Sequence, residues 1–230
     1  MKSGAESPIQ KGMLATQINN KSVLGLWLFF MPSKLLPISG VEKKWVKKLT
    51  PRRALIYHFS RGCIRHVISH MTGLDPIEIP LKADPGKQPL LAEGWGHISM
   101  SHCSDALLIG WSKERIGVDI ERKNRNFQAN KLSKRFFTQY ENCEIENLTP
   151  NQAKEQTLRR WVVKEAAIKW QGGKISTNLS HWIWKNNSSF VYNEKLGYQV
   201  KVYNQNYDKW TYAIALNGDS IIPEPIICIN

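Results

Sequence analysis

Ile116-Gly117-Val118-Asp119-Ile120-Glu121 and Trp161-Val162-Val163-Lys164-Glu165-Ala166-Ala167-Ile168-Lys169 are the two stretches on which the reading of this chain turns. The first alternates apolar with acidic residues, the period-two pattern of a strand. Asp119 and Glu121 then share one face while Val118 and Ile120 turn into a core. The second puts Trp161, Glu165 and Lys169 at i, i+4 and i+8, one stripe of a helix. Three carboxylates supply hard oxygen ligands for a divalent cation such as Mg²⁺, and a lysine beside them suits phosphate charge. Each piece alone has a plainer reading: solvated acids at a strand end, or an i, i+4 ion pair worth ~0.2–0.5 kcal/mol. Apolar flanks around the acids and a tryptophan on the lysine stripe favour a site. Two carboxylates in such a setting repel each other unless a cation holds them.

Working outward, Thr149-Pro150-Asn151-Gln152 reads as a capping-box start for a long helix that stops at Gly172-Gly173. Thr50-Pro51 starts another, ending at Gly73, with Leu55, Phe59, Cys63, Val67 and Met71 on its buried side. Its other side carries Arg52, Arg53, Arg61, Arg65 and the histidines, and is expected to be a basic face. Val23–Phe30 reads as a core strand, and Pro76 to Gly96 as loop. Ala106–Trp111 and Arg115–Glu121 read as a hairpin-like pair. His181–Trp184, Phe190–Tyr192, Tyr198–Tyr203 and Trp210–Leu216 alternate apolar with polar residues and predict a small antiparallel sheet. The expected fold class is α+β: two similar lobes, 22–112 and 113–230, each a small antiparallel sheet packed with a long helix, after a disordered tail over 1–21. No internal repeat proves a duplication.

A hydrophobic content of 42% with nine tryptophans excludes a disordered chain. Thirty-two basic against 19 acidic residues give +13, a field that favours an anionic partner. The four cysteines are far apart, with no CxxC pair, so reduced thiols and a cytoplasmic location are expected. Residues 1–21 show no apolar core of a signal peptide, and the run Val23–Met31 is too short to cross a bilayer. Two further groups could serve phosphate. Lys87 sits in the braced loop Gly86-Lys87-Gln88-Pro89, and His102 lies in Ser101-His102-Cys103. Their plain alternative is a loop with a buried, hydrogen-bonded histidine.

The ordered blocks Ser60-Arg61-Gly62, Gly86-Lys87-Gln88-Pro89, Ser101-His102-Cys103, Ile116–Glu121, Arg135-Phe136-Phe137 and Trp161–Lys169 resemble the 4′-phosphopantetheinyl transferases. Length and block order look like the two-lobed, monomeric surfactin-type and cyanobacterial subgroup. The resemblance implies a pseudo-twofold monomer with its active site where the lobes meet. It also implies transfer of 4′-phosphopantetheine from coenzyme A to a serine of an apo acyl or peptidyl carrier protein, releasing adenosine 3′,5′-bisphosphate. Asp119, Glu121 and Glu165 would hold Mg²⁺, with Mn²⁺ as the substitute. Glu165, or a metal-bound water, would take the serine proton, with Lys169 and His102 as the other catalytic groups. Arg61, Lys87, Ser101, His102, Asp119, Lys164 and Lys169 would contact coenzyme A. Glu141 matches an acidic position near the family's metal site. The sequence departs from the family at Ser99 and Cys103, where Asn and Ser are usual, and at Gln88, inserted into Gly-Lys-Pro.

The competing reading is a metal-dependent nuclease or phosphodiesterase, and behind it a non-catalytic nucleic-acid binder. Neither nucleic acid nor membrane is the expected partner, because the basic and aromatic residues do not interleave in a recognisable base-reading motif.

Overall fold

The computed structural model describes residues 24–31, 34–173, 179–185, 187–217 and 224–228. The expected tail at 1–21, and Val23 of the first strand, lie outside them. The fold is α+β, with five helices and eleven strands among the described residues. Contacts group these residues into two compact units, neither continuous in sequence: 24–98 with 105–113 and 224–228, and 99–104 with 114–217.

In the first unit, β1 (Leu24–Phe30) runs antiparallel to β5 (Ala106–Ser112) over seven pairs, from Leu24↔Ser112 to Phe30↔Ala106. On its other edge it lies parallel to β11 (Ile226–Cys228), with Trp27 opposite Ile226. A strand flanked on both edges and buried on both faces is where an unbroken apolar run belongs. The parallel pair corrects the expectation of a purely antiparallel sheet. The sheet order is β11-β1-β5-β4, where β4 (His97–His102) begins in this unit and its last four residues are counted with the other.

Helix α1 (Gly40–Val46), not foreseen in the sequence, opens on a capping box. Glu42 N–H donates to Ser39 Oγ at 3.3 Å, and Ser39 N–H donates to Glu42 Oε2 at 2.8 Å. Helix α2 (Pro51–Thr72) ends on left-handed Gly73, as expected. Its basic face is corrected. Arg52 and Arg53 are exposed, but Arg65 is buried against Glu42 at 2.7 Å and donates to the carbonyls of Pro76 and Ile79 at 2.9 Å each. Arg61 is buried as well, donating to Ala83 O at 3.3 Å with its guanidinium over the Tyr57 ring. These two arginines tie down the loop that follows, whose carbonyls would otherwise lack donors. Leu55, expected in the core, is 48% exposed. The Pro76–Gly96 stretch is loop apart from a short 3₁₀ turn at Pro76–Glu78 and the two-residue strands β2 (Leu81–Lys82) and β3 (Leu90–Leu91).

The second unit holds β6 (Ile116–Arg122), β7 (Trp182–Ile183), β8 (Phe190–Asn193), β9 (Tyr198–Tyr207) and β10 (Trp210–Leu216), in the antiparallel order β6-β10-β9-β8-β7. The expected hairpin of β5 with β6 does not form. Each takes a seven-pair ladder elsewhere, β5 with β1 and β6 with β10. Both strands are buried along most of their length, and full ladders satisfy more buried backbone than a short hairpin could. β9 also runs beyond the expected Tyr203, because Asn204 through Tyr207 stay in register with Trp210–Ala213 and the chain reverses at Asp208, φ 47°.

Helix α5 (Pro150–Gln171) lies on this sheet. Val162, Val163, Ala166, Ala167 and Ile168 pack against Trp182, Trp184, Val191, Val200, Val202, Ala213 and Ala215. At its start, Gln152 Oε1 accepts from the Thr149 hydroxyl at 2.8 Å, and left-handed Gly172 ends it. Two short helices precede it, α3 (Ala129–Phe136) and α4 (Gln139–Glu146), and a small core of Phe137, Ile145 and Ala153 joins them to it.

Candidate active site

Gly117 decides how close α5 comes to β6. A Cβ there would fall inside the van der Waals envelope of the Ala166 carbonyl oxygen and the Trp170 amide nitrogen. With no side chain in the way, the helix backbone rests on the strand and carries Glu165 and Lys169 to the residue two positions on, Asp119.

Asp119 is the centre of the cluster and is 2% exposed. Its Oδ1 accepts from Lys169 Nζ at 2.6 Å and from Ser101 Oγ at 2.5 Å. Lys169 Nζ is also 3.8 Å from Glu165 Oε2. Glu121 points the same way, half-buried and paired with Arg125. Strand β4 reaches the cluster through two small polar residues on one face. Ser99 Oγ accepts from Val118 N–H at 3.0 Å, and Ser101 donates to Asp119. The sequence suggested a loop around Ser101. The available signal was their i, i+2 spacing, which puts both on one face of a strand; both are buried there.

Burial dominates the electrostatics of this cluster. Burial pushes Glu121 up to about 7, with Asp119 adding to the rise and Arg125 and Lys169 opposing it. Glu165 is raised well above the carboxylate range, first by burial and then by Asp119. Asp119 Oδ2 is buried with no hydrogen-bond partner among the described residues, and the adjoining Glu165 carboxyl can offer a donor only while it keeps its own proton. Among the described residues no three His, Cys, Asp or Glu side chains are placed so that together they could hold a metal ion, and Asp119 and Glu121 pair instead with Lys169 and Arg125. The donor chemistry nevertheless suits a hard divalent cation: oxygen ligands, one of them an unfilled buried acceptor.

One measurement follows. A carboxyl whose folded pKa is raised contributes stability that is complete below its unfolded value, near 4.5, and is lost as pH rises through the folded value, about 7 for Glu121. Metal-free protein should therefore lose Tm between about pH 5 and about pH 8, and Mg²⁺ should restore more of it at the upper end than at the lower. A Mg²⁺ effect equal at both ends, followed by scanning calorimetry, would count against a cation on these acids.

The other expected site residues lie in several environments. His102 is exposed at the end of β4, in the same unit as the acids. Lys87 and Arg61 belong to the first unit. Lys87 is exposed on a tight turn whose Gly86 has φ 78°, 3.6 Å from Asp84, and Arg61 is buried with its guanidinium over the Tyr57 ring. Lys164, expected to contact coenzyme A, is fully buried with Nζ 2.6 Å from Glu141 Oε2. Glu141, likewise 0% exposed, also accepts from Thr138 N–H at 3.0 Å and Trp184 N–H at 3.2 Å. Sequence reasoning missed this pair, although Thr138-x-x-Glu141 is a capping-box signature.

Residues 115–216 match the model of the 4′-phosphopantetheinyl transferase superfamily. That span is a little under half of the chain, and holds Asp119, Glu121, Glu141, Lys164, Glu165 and Lys169 but not Arg61, Lys87, Ser101 or His102. A search of curated proteins found no match. No helix among the described residues is long and apolar enough to cross a membrane.

Proposed function

We propose that this protein transfers the 4′-phosphopantetheine group of coenzyme A to a serine of an apo carrier protein, with Mg²⁺ as cofactor and adenosine 3′,5′-bisphosphate as the second product. The observation that carries this reading is the cluster of Asp119, Glu121, Glu165 and Lys169, which falls wholly inside the span matching the superfamily.

Asp119, Glu121 and Glu165 would hold the cation. When bound, it neutralises pyrophosphate charge and draws electron density from the reacting phosphorus. The serine oxygen attacks that phosphorus as the pyrophosphate P–O bond breaks, so one proton must leave the hydroxyl and negative charge must be met on the departing phosphate. Glu165, once ionised, is the carboxylate that takes the proton. Lys169, already turned toward the acids, moves its charge to the departing phosphate. His102, exposed at the edge of β4, contacts the pyrophosphate, and Ser101 holds Asp119 in place. The surplus of +13 steers an acidic carrier domain toward the enzyme.

Intact-mass spectrometry tests the reading directly. With Mg²⁺ and coenzyme A, an apo carrier protein should gain ~340 Da, the mass of the phosphopantetheine arm. No gain across apo carriers from fatty-acid, polyketide and peptide synthesis would overturn it. Digestion of plasmid DNA that requires Mg²⁺ and Glu165 would instead favour the nuclease.

A further inference from the structure

We propose that the buried Glu141–Lys164 pair is a positioning tie for the active-site helix, and that Lys164 makes no contact with substrate. Neither side chain has any exposure, so the ammonium has no path to a phosphate in solution. Its neighbours are those of a structural joint. Lys164 Nζ lies 2.6 Å from Glu141 Oε2 and 4.3 Å from the centre of the Phe137 ring. The carboxylate is otherwise filled from three directions. Thr138 N–H and Oγ donate to Oε2 at 3.0 Å each, and Trp184 N–H donates to Oε1 at 3.2 Å. One carboxylate thus gathers the start of α4, the middle of α5 and the residue just after β7.

A second rung lies beside it. Arg160, one turn before Lys164 and itself buried, pairs with Glu144, three residues after Glu141 on α4. Two rungs between two helices fix both how far α5 slides along α4 and how it is rotated. A single rung would leave rotation free. Rotation is what matters to the site, because Glu165 follows Lys164 by one residue, about 100° around the helix, and Lys169 comes just over a turn later. If the tie slips, both side chains swing away from Asp119.

The positioning role rests on the transferase reading; the tie itself does not. Two variants separate them: Lys164→Met, which leaves the Glu141 carboxylate buried without its counter-charge, and the double variant Glu141→Gln/Lys164→Met. In the double variant the buried charge is gone and the amide oxygen can still accept from Thr138 N–H and Oγ, while the amide NH2 faces Trp184 N–H. Lys164→Met should lower kcat at least ~10-fold while KM for coenzyme A stays within about twofold, and the double variant should recover part of that loss. Thermal unfolding should drop by ~10 °C in Lys164→Met and return at least halfway in the double variant. A KM for coenzyme A raised about tenfold in both variants, with no recovery, would make Lys164 a substrate contact and overturn the proposal. So would a single variant with the unfolding temperature of the parent. If the parent protein transfers nothing, the transferase reading fails, and the unfolding temperatures still decide whether the tie exists.

Discussion

Glu165→Gln should lower transfer to an apo carrier by ~10²–10⁴-fold, the range expected when a positioned general base is removed. The amide keeps the shape and can still accept a hydrogen bond, but it cannot take a proton or carry charge to a cation. Folding should not suffer. In the metal-free protein Glu165 sits nine-tenths buried beside Asp119, and its charged form is disfavoured by that burial and by its neighbour. A neutral amide matches the uncharged form that this setting favours, so Tm should hold. The signature is therefore split: activity lost, stability kept. Calorimetric titration should show coenzyme A still binding within severalfold, since Lys169 and the residues outside α5 are untouched. Undiminished turnover in the intact-mass assay would remove Glu165 from the mechanism.

The acids were legible because strand alternation and helical spacing each act within a few residues. Asp119 and Glu121 share a face at i and i+2, while Glu165 and Lys169 share a stripe at i and i+4, and no tertiary contact is needed to see it. What brings the two pairs together was not legible. It depends on Gly117, whose missing side chain matters only once α5 is seen lying on it. The arginines of α2 show the same limit. By position they belong to one polar face, yet Arg61 and Arg65 are buried, because the loop after α2 brings unsatisfied carbonyls that a guanidinium can serve. The partner of Lys164 was hidden for a related reason. Its motif neighbours face the acids, and nothing local in the sequence says that its own ammonium turns instead to Glu141, 23 residues earlier. The hairpin of β5 and β6 failed because a three-residue separation permits a reversal without requiring one. Which partner each strand takes is settled by the full-length ladders available from β1 and β10.

Gly117→Ala should damage the protein more than its size suggests, and in both stability and activity. The added methyl meets backbone atoms, the Ala166 carbonyl oxygen and the Trp170 amide nitrogen, and neither can rotate away as a side-chain tip would. Two outcomes are available: the helix lifts from the strand, or the strand bends. Lifting α5 opens the contact with Ala213 and Ala215, which small residues keep tight, and costs about 3 kcal/mol or more, the upper range for overpacking a core. In a chain of this length that is a fall in Tm of ~6–12 °C. Lifting also moves Glu165 and Lys169 away from Asp119, because all three meet across the same helix–strand contact. A shift of about 1 Å at a catalytic group costs ~10²-fold in rate, so kcat should drop on that scale even at temperatures where the variant is fully folded. The pairing of effects is the test. Ala166→Gly on the facing helix removes a methyl but not the offending carbonyl, so it should not rescue Gly117→Ala. Calorimetry and the transfer assay read both quantities. A Gly117→Ala protein with parental Tm and parental kcat would mean that α5 does not rest on β6 in solution, and the assembly of the site around Gly117 would be wrong.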